Sequence, residues 1–491
     1  MPPRAFRLTG LQATSKLFFP SSQTILGKLS LAELRLSGIS RMAQIINKFV
    51  LCAAIAALTL PGVLSSIATA QTNQSPDRDH LLNGLTILYG NRPGDPNVLL
   101  KLRINSGAAF DLAGKAGTMA LLADAMFPEA STREYVTEQL GGRLDVATTY
   151  DSIDITLSGK ASELERMIEL MRNAVLNLNL SPENVATLRE ARIRQLSEKQ
   201  SASVIADRAV AARLFGTYPY GSPAEGTIES VGKIERADLM MARERFVNAE
   251  NATLAVIGGV ERTRLMRAVR QILGPWQKGD RIVPATFRQP GAVDDRILLI
   301  DQPVAKDVQV RIAVRGLSRS DPDVVAAAQL AFIADQRWRS AVPEISTSVR
   351  HEAHALSGTF VFAATAPPAA AAKAIAAAKK LIAEMAASEL SAVEIPTVMR
   401  TPGRMPIEEA MATAWQDAET YKARTDPGRS IRPDDLRRVA TRLFENSAPV
   451  AIVVVGNAAE LQTQLGYKVE LRSEVPETKP TPSPSPSQKK P

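Results

Sequence analysis

Cysteine is almost missing from this chain: Cys52 is the only one in 491 residues. It sits in an apolar run near the start, so the rest of the chain can form neither a disulfide nor a thiolate metal site. Histidine is nearly as scarce, limited to His80, His351 and His354, which leaves little material for an imidazole metal centre. An excess of one charge is also lacking once its position is considered. The formal charge is +8, but residues 1–41 hold six Lys or Arg against Glu33, Lys48 adds one, and the tail from Arg472 holds four basic and two acidic residues. The body between them is balanced, which removes the electrostatic footprint of a nucleic-acid binder.

A long uninterrupted apolar run is absent too. From Met42 the chain reads MAQIINKFVLCAAIAALTLPGVLSSIATAQ, with Pro61 and Gly62 breaking the apolar stretch. Too few residues remain to span ~30 Å of hydrocarbon. One Lys, an apolar core and Ala68-Thr69-Ala70 form the order of a cleaved secretory signal, assigned to residues 42–70. Signal peptides begin with their basic region, so residues 1–41 read as an over-extended start, an organellar transit peptide being the alternative. Cys52 lies too early in the run to be a lipid attachment site. The mature chain is therefore expected to be periplasmic or secreted and not integral to a membrane. Its end, residues 472–491, is rich in Pro and Ser and is expected to be a disordered tail.

What is present is a duplication. VLLKLRINSG at 98–107 and VQVRIAVRG at 308–316 alternate as strands, and each precedes an apolar helix, at 113–127 and 324–338. Each half then supplies a hairpin, at 144–159 with Asp151-Ser152 near its turn and at 349–366 with Ser357-Gly358 as the turn. A long helix follows in each, at 161–177 and 370–387. The halves close alike, as helix, short loop and buried strand ending in Gly258 or Gly456. The fold class is α+β, two homologous domains at 78–275 and 290–465 joined by a linker at 276–289, each a mixed or antiparallel sheet covered by helices.

Five segments in order resemble the pitrilysin/insulinase family of zinc peptidases, which includes the mitochondrial processing peptidase subunits. They are LLNGLTILYG at 81–90, INSGAAFD at 104–111, GGRLDVATTYDSIDITLSG at 141–159, YPYGSPAEGTIESVGKIERADL at 218–239 and the NATLAVIGGV that ends at Val260. The resemblance implies a clam-shell half. It places the family's His-x-x-Glu-His zinc helix on GTMALLADAMF at 117–127, where this chain has Ala120, Ala123 and Asp124. The two imidazoles at i and i+4 and the Glu between them, which in active members hold zinc and take a proton from its water, are all gone. Glu190 or Glu198 stands near the family's distal ligand position. The chain is thus expected to need no cofactor and to perform no catalysis. A metalloendopeptidase with an altered metal site is the alternative.

The resemblance also implies that residues 141–149 form an edge strand able to pair with an extended peptide, with Gly141, Gly142, Leu144, Val146 and Thr148 as its candidates. An ordinary turn before a core strand explains the two glycines equally well. The family's second domain supplies an Arg and a Tyr that face the metal site; here the matching stretch offers Arg337, Arg339 and Arg350 and no Tyr. His351 and His354 form HEAH, but residues three apart on a strand face opposite sides, so they read as two half-exposed strand histidines and not a zinc pair. The segment TYPYGSP reads as a fixed loop whose tyrosines pack inward, and the Ala-rich 366–387 as a solvent-facing helix over a sheet. The partner implied by resemblance is a zinc-bearing subunit of the same family, a homo-oligomer being the other option. A stand-alone peptide-binding or scaffold protein is the third reading.

Overall fold

The computed structural model describes residues 77–279, 287–288, 290–294, 296–387, 431–444, 450–466 and 469–473. The expected over-extended start, the signal peptide, most of the linker and the tail from residue 474 lie outside them. The first half contains β1 Asp77–His80, β2 Thr86–Asn91, β3 Asn97–Ile104, α1 Thr118–Asp124, α2 Ala130–Glu138, β4 Arg143–Thr148 and β5 Ile153–Lys160. It continues with α3 Leu164–Leu176, α4 Pro182–Ser197, α5 Ala202–Phe215, α6 Ile228–Gly232, α7 Arg236–Phe246, β6 Ala252–Gly258 and α8 Arg262–Leu273. The second half contains β7 Ile297–Asp301, β8 Val308–Gly316, α9 Val324–Ala341, β9 Ser346–Glu352, β10 Gly358–Ala366, α10 Ala371–Ala387, α11 Pro433–Phe444, β11 Ala451–Gly456, α12 Ala458–Leu465 and β12 Val469–Ser473.

The strand orders are β1-β2-β6-β3-β5-β4 and β12-β7-β11-β8-β10-β9. In each sheet one pair is parallel in the same place, β2 with β6 and β7 with β11, and the next strand inward runs antiparallel. The duplication read from the sequence is therefore also a duplication of topology. The added outer strands break the match, because β1 lies antiparallel to β2 while β12 lies parallel to β7.

Alternation explains where each sheet is buried. Val308, Val310, Ile312 and Val314 of β8 face a core shared with α9, α10 and α11, together with Phe360 and Phe362 of β10. The opposite face of the same sheet shows Ala313, Val361, Val453 and Val455, and its cover comes from the other half: Ala206, Ala209, Val210 and Leu214 of α5. β11, AIVVVG, is thus buried on both faces, which is why it reads as an unbroken apolar run. In the first sheet Val98, Leu100, Leu102 and Ile104 of β3 meet α1, α3, α7 and α8 in one core.

Two expected boundaries move. Trp276, the first residue of the expected linker, is buried in the first core, and Gln277 accepts a hydrogen bond from the Ala249 amide. At the other end β12 extends past 465 and takes in Arg472 and Ser473, expected to belong to the tail. Both segments carry a partner the local pattern does not reveal: an apolar pocket for the Trp ring and a parallel neighbour for the strand.

Candidate functional site

α1 is only seven residues long, and its start is built from outside the helix. The Asp111 carboxylate accepts the N–H of Gly117 at 2.7 Å and of Met119 at 2.9 Å, a cap supplied from the preceding loop. Burial drives the Asp111 carboxyl up to about 7, against the pull of those amides. Gly117 has φ 96°, and a Cβ on the facing Gly226 would lie 2.5 Å from the Ala116 carbonyl, so two glycines let the loops close on the helix start.

Ala120 and Ala123 are buried in this helix and contribute methyl groups. Asp124 is engaged: Arg192 of α4 donates to both its oxygens, at 2.9 and 2.6 Å, and reaches the Ala120 carbonyl at 3.3 Å. Burial holds the Asp124 carboxyl above its ordinary value, against the smaller downward pull of the guanidinium. Glu190 and Glu198 are both exposed, Glu190 on α4 and Glu198 at its end. What α4 presents to α1 is Arg192, a residue the sequence reading passed over. The signal for it was available, since a carboxylate on a largely apolar helix face needs a cation or hydrogen-bond donors nearby.

β4 is the outermost strand on its side of the first sheet. The pairing with β5 runs unbroken from Arg143 opposite Ser158 to Thr148 opposite Ile153, and Thr149 donates its N–H to the Ser152 carbonyl at 2.8 Å. Positions 143, 145, 147 and 149 are therefore the ladder-bonded ones, and the N–H and C=O of Leu144, Val146 and Thr148 point away from β5. Gly141 and Gly142 have a different cause. Gly141 has φ 63°, and a Cβ on Gly142 would fall 1.8 Å from the Ser158 carbonyl oxygen. The hairpin's own geometry demands both glycines, so they say nothing about a ligand.

The second-half arginines do not converge on one point. Arg339 of α9 is exposed and donates to Asp335 at 2.5 Å, and Arg337 is half-buried on the same helix. Arg350 of β9 donates to Glu352 and, at 3.3 Å, to Asp207 of α5. Beside it Arg311 donates to Asp207 at 2.6 Å and to Ser203 at 2.6 Å.

The two hairpin turns meet at a cluster the sequence did not reveal. Asp151, in the turn after β4, accepts Tyr220 Oη at 2.8 Å on one oxygen and Arg319 at 2.9 Å and the Ala355 amide at 2.9 Å on the other. Tyr220 Oη accepts the Leu356 amide at 3.0 Å, and burial beside Asp151 drives its hydroxyl up. The HEAH expectation is corrected in part here. His351 lies on β9 and its Nε2 accepts the Leu317 amide at 3.0 Å, but His354 lies past the strand, with ring centroids 5.5 Å from Tyr150 and 4.9 Å from Tyr220. The tyrosines of TYPYGSP are buried, as expected of a fixed loop.

Comparison with known proteins agrees with this architecture. The family model described as insulinase (peptidase family M16) matches residues 86–228, and the one described as the peptidase M16 inactive domain matches residues 233–401. The chain belongs to the insulinase family of peptidases, M16. Among its relatives, human mitochondrial cytochrome b-c1 complex subunit 1 is 26% identical over 289 residues, covering 55% of this chain and 58% of that one. An uncharacterized zinc protease of Mycobacterium leprae is 26% identical over 204 residues, 40% of this chain and 46% of the relative. The chain thus spans about half the length of the curated relatives it matches. A solved M16 inactive domain from Pseudomonas fluorescens superposes with a TM-score of 0.65 at 17% identity, covering 78% of this chain and 98% of that one. The periplasmic protease PqqL of Escherichia coli gives 0.64 at 15% identity, covering 82% and 51%.

Within an M16 frame, the face of α1 can be tested against a zinc ion. A catalytic zinc takes three protein ligands and keeps a fourth position for water. α1 offers one carboxylate, and a guanidinium already binds both of its oxygens. This donor set does not fit the metal.

Proposed function

We propose that this M16 chain is a non-catalytic, zinc-less subunit that pairs with a zinc-bearing member of its family, supplying chamber wall and a strand edge for extended peptides. The observation that carries the reading is Arg192 on Asp124. A fixed cation sits where the resemblance places a metal, so the helix keeps its packing without a centre that could lower the pKa of a bound water. The outward-pointing N–H and C=O groups of Leu144, Val146 and Thr148 support the peptide edge, and Arg337, Arg339 and Arg350 are the candidates to meet a carboxylate or carbonyl from the second half. The human relative is by name a subunit of a larger complex, which favours life in an assembly. Export with cleavage after Ala70 rests on the leader sequence and is consistent with a periplasmic structural neighbour. Among the described residues no helix is long and apolar enough to cross a membrane.

Metal analysis and peptide hydrolysis on the mature protein test this reading together. Zinc is expected far below one per chain, with no chelator-sensitive cleavage of unstructured peptides, and a zinc-bearing family member from the same cell is expected to co-elute with the chain. About one tightly held zinc per chain with chelator-sensitive cleavage would instead establish an altered-site metalloendopeptidase. Peptide binding without co-elution would favour the stand-alone binder.

A further inference from the structure

Sulfur chemistry in this chain falls to methionine, because its only cysteine is Cys52 in the leader. The described methionines divide sharply. Met119, Met126, Met167, Met171, Met266 and Met385 are at most 5% exposed, whereas the adjacent Met240 and Met241 are 43% and 55% exposed. Both sit on α7, whose inner face places Leu239, Ala242 and Phe246 in the first core. The helix start is closed by a capping box between Glu235 and Asp238, and Asp238 also holds Lys115 at 2.6 Å. α7 is therefore anchored through residues other than its two methionines.

We propose that Met240 and Met241 form a reversible oxidation site, taking oxygen from peroxide-class oxidants before the buried methionines do and at no cost to the fold. The thioether sulfur attacks one peroxide oxygen, an S–O bond forms, the O–O bond breaks, and water leaves. Sulfur loses two electrons and the peroxide gains them, giving methionine sulfoxide. A sulfoxide at either position remains in solvent, whereas one at Met119 or Met171 would place a strong dipole in an apolar core. The adjacent pair exposes two thioethers on one helix turn, within reach of a sulfoxide reductase.

Dilute hydrogen peroxide followed by tryptic mass spectrometry on the full mature chain tests it. The tryptic peptide 237–243, ADLMMAR, isolates the pair from every other methionine. It should gain first one and then two oxygens at least about ten times faster than the peptides holding the six buried methionines. The melting temperature should stay within about 2 °C while this occurs, and sulfoxide reductase with a thiol reductant should return the peptide to its original mass. Equal rates at the buried methionines, resistance of 237–243, or loss of the folded state in step with its oxidation would each overturn the proposal. The Met240→Leu/Met241→Leu variant separates the last cause: if it melts like the parent and survives the same peroxide dose, unfolding came from sulfoxide at these two positions.

Discussion

His351 is held in a setting that suits only the neutral ring. Its Nε2 accepts the Leu317 amide, and a Cβ on Gly316 would lie 2.8 Å from that nitrogen, so this edge of the ring is packed against backbone. Burial pushes its pKa down to about 4, from an ordinary value near 6.5. The folded state therefore binds this proton less tightly than the unfolded chain, and stability that is whole above about 6.5 is lost as pH falls toward 4. Asp111 acts in the opposite direction. Its folded value of about 7 exceeds the ordinary 3.8, so its contribution is present at low pH and is lost as pH rises from 4 through 7. Replacing His351 by Gln keeps an acceptor for Leu317 and removes one titration while Asp111 stays in both proteins. The expected outcome is a denaturation midpoint that shifts in favour of His351→Gln as pH is lowered from 7 to about 4.5, an effect equal pH profiles would rule out. Residue-scale roles of this kind were the least legible in the sequence. The substitutions at Ala120, Ala123 and Asp124 could be read directly, but Arg192, Asp151 and Arg319 act on partners 68, 69 and 168 positions away. No local pattern encodes such a distance.

The elements themselves were largely legible, because alternation and helical spacing are local. The strand expected at 308–316 is β8, and the helix expected at 370–387 is α10 at Ala371–Ala387. The apolar helix expected over 113–127 is helical only at Thr118–Asp124, because Asp111 and the glycine-supported loop take up its first residues. β1 and β12, four and five residues long, were missed because a strand that short has no period to detect. The Val146 N–H points to the open edge, so Val146→Pro removes no ladder bond with β5 and takes away one donor from an incoming strand. The variant should melt near the parent and bind extended peptides roughly tenfold more weakly, about the loss of one hydrogen bond. Thermal denaturation beside fluorescence titration checks both terms. Parental affinity in a folded Val146→Pro protein would remove the edge from the peptide-binding account.

On the scale of the whole molecule, the duplication conceals an asymmetry that alignment of the two halves cannot show. The second sheet has helices of its own over one face, while its other face, with Leu298, Ile300, Ala313, Val361, Val453 and Val455, packs on α5 of the first half. Polar contacts reinforce the same junction: Arg311 with Asp207, Arg319 with Asp151, and Arg213 with Glu470 of β12. Arg315 also donates to the Leu214 carbonyl at 3.0 Å, where the end of α5 would otherwise leave an acceptor unmet. A junction of this kind resembles a protein core more than the polar contact usual between domains of one chain, so the two halves should unfold as one unit. The chain lacking residues 1–289 should therefore expose an apolar sheet face and aggregate, and co-expression with residues 71–279 should return it to solution. In the intact protein Leu214→Ala should cost about 2–5 kcal/mol and lower the stability of both halves together, which hydrogen exchange at α5, β8 and α10 can follow. Exchange that rises around α5 while α10 keeps its parental protection would show two independently stable halves, and the shared core would then be a contact surface and not a folding requirement.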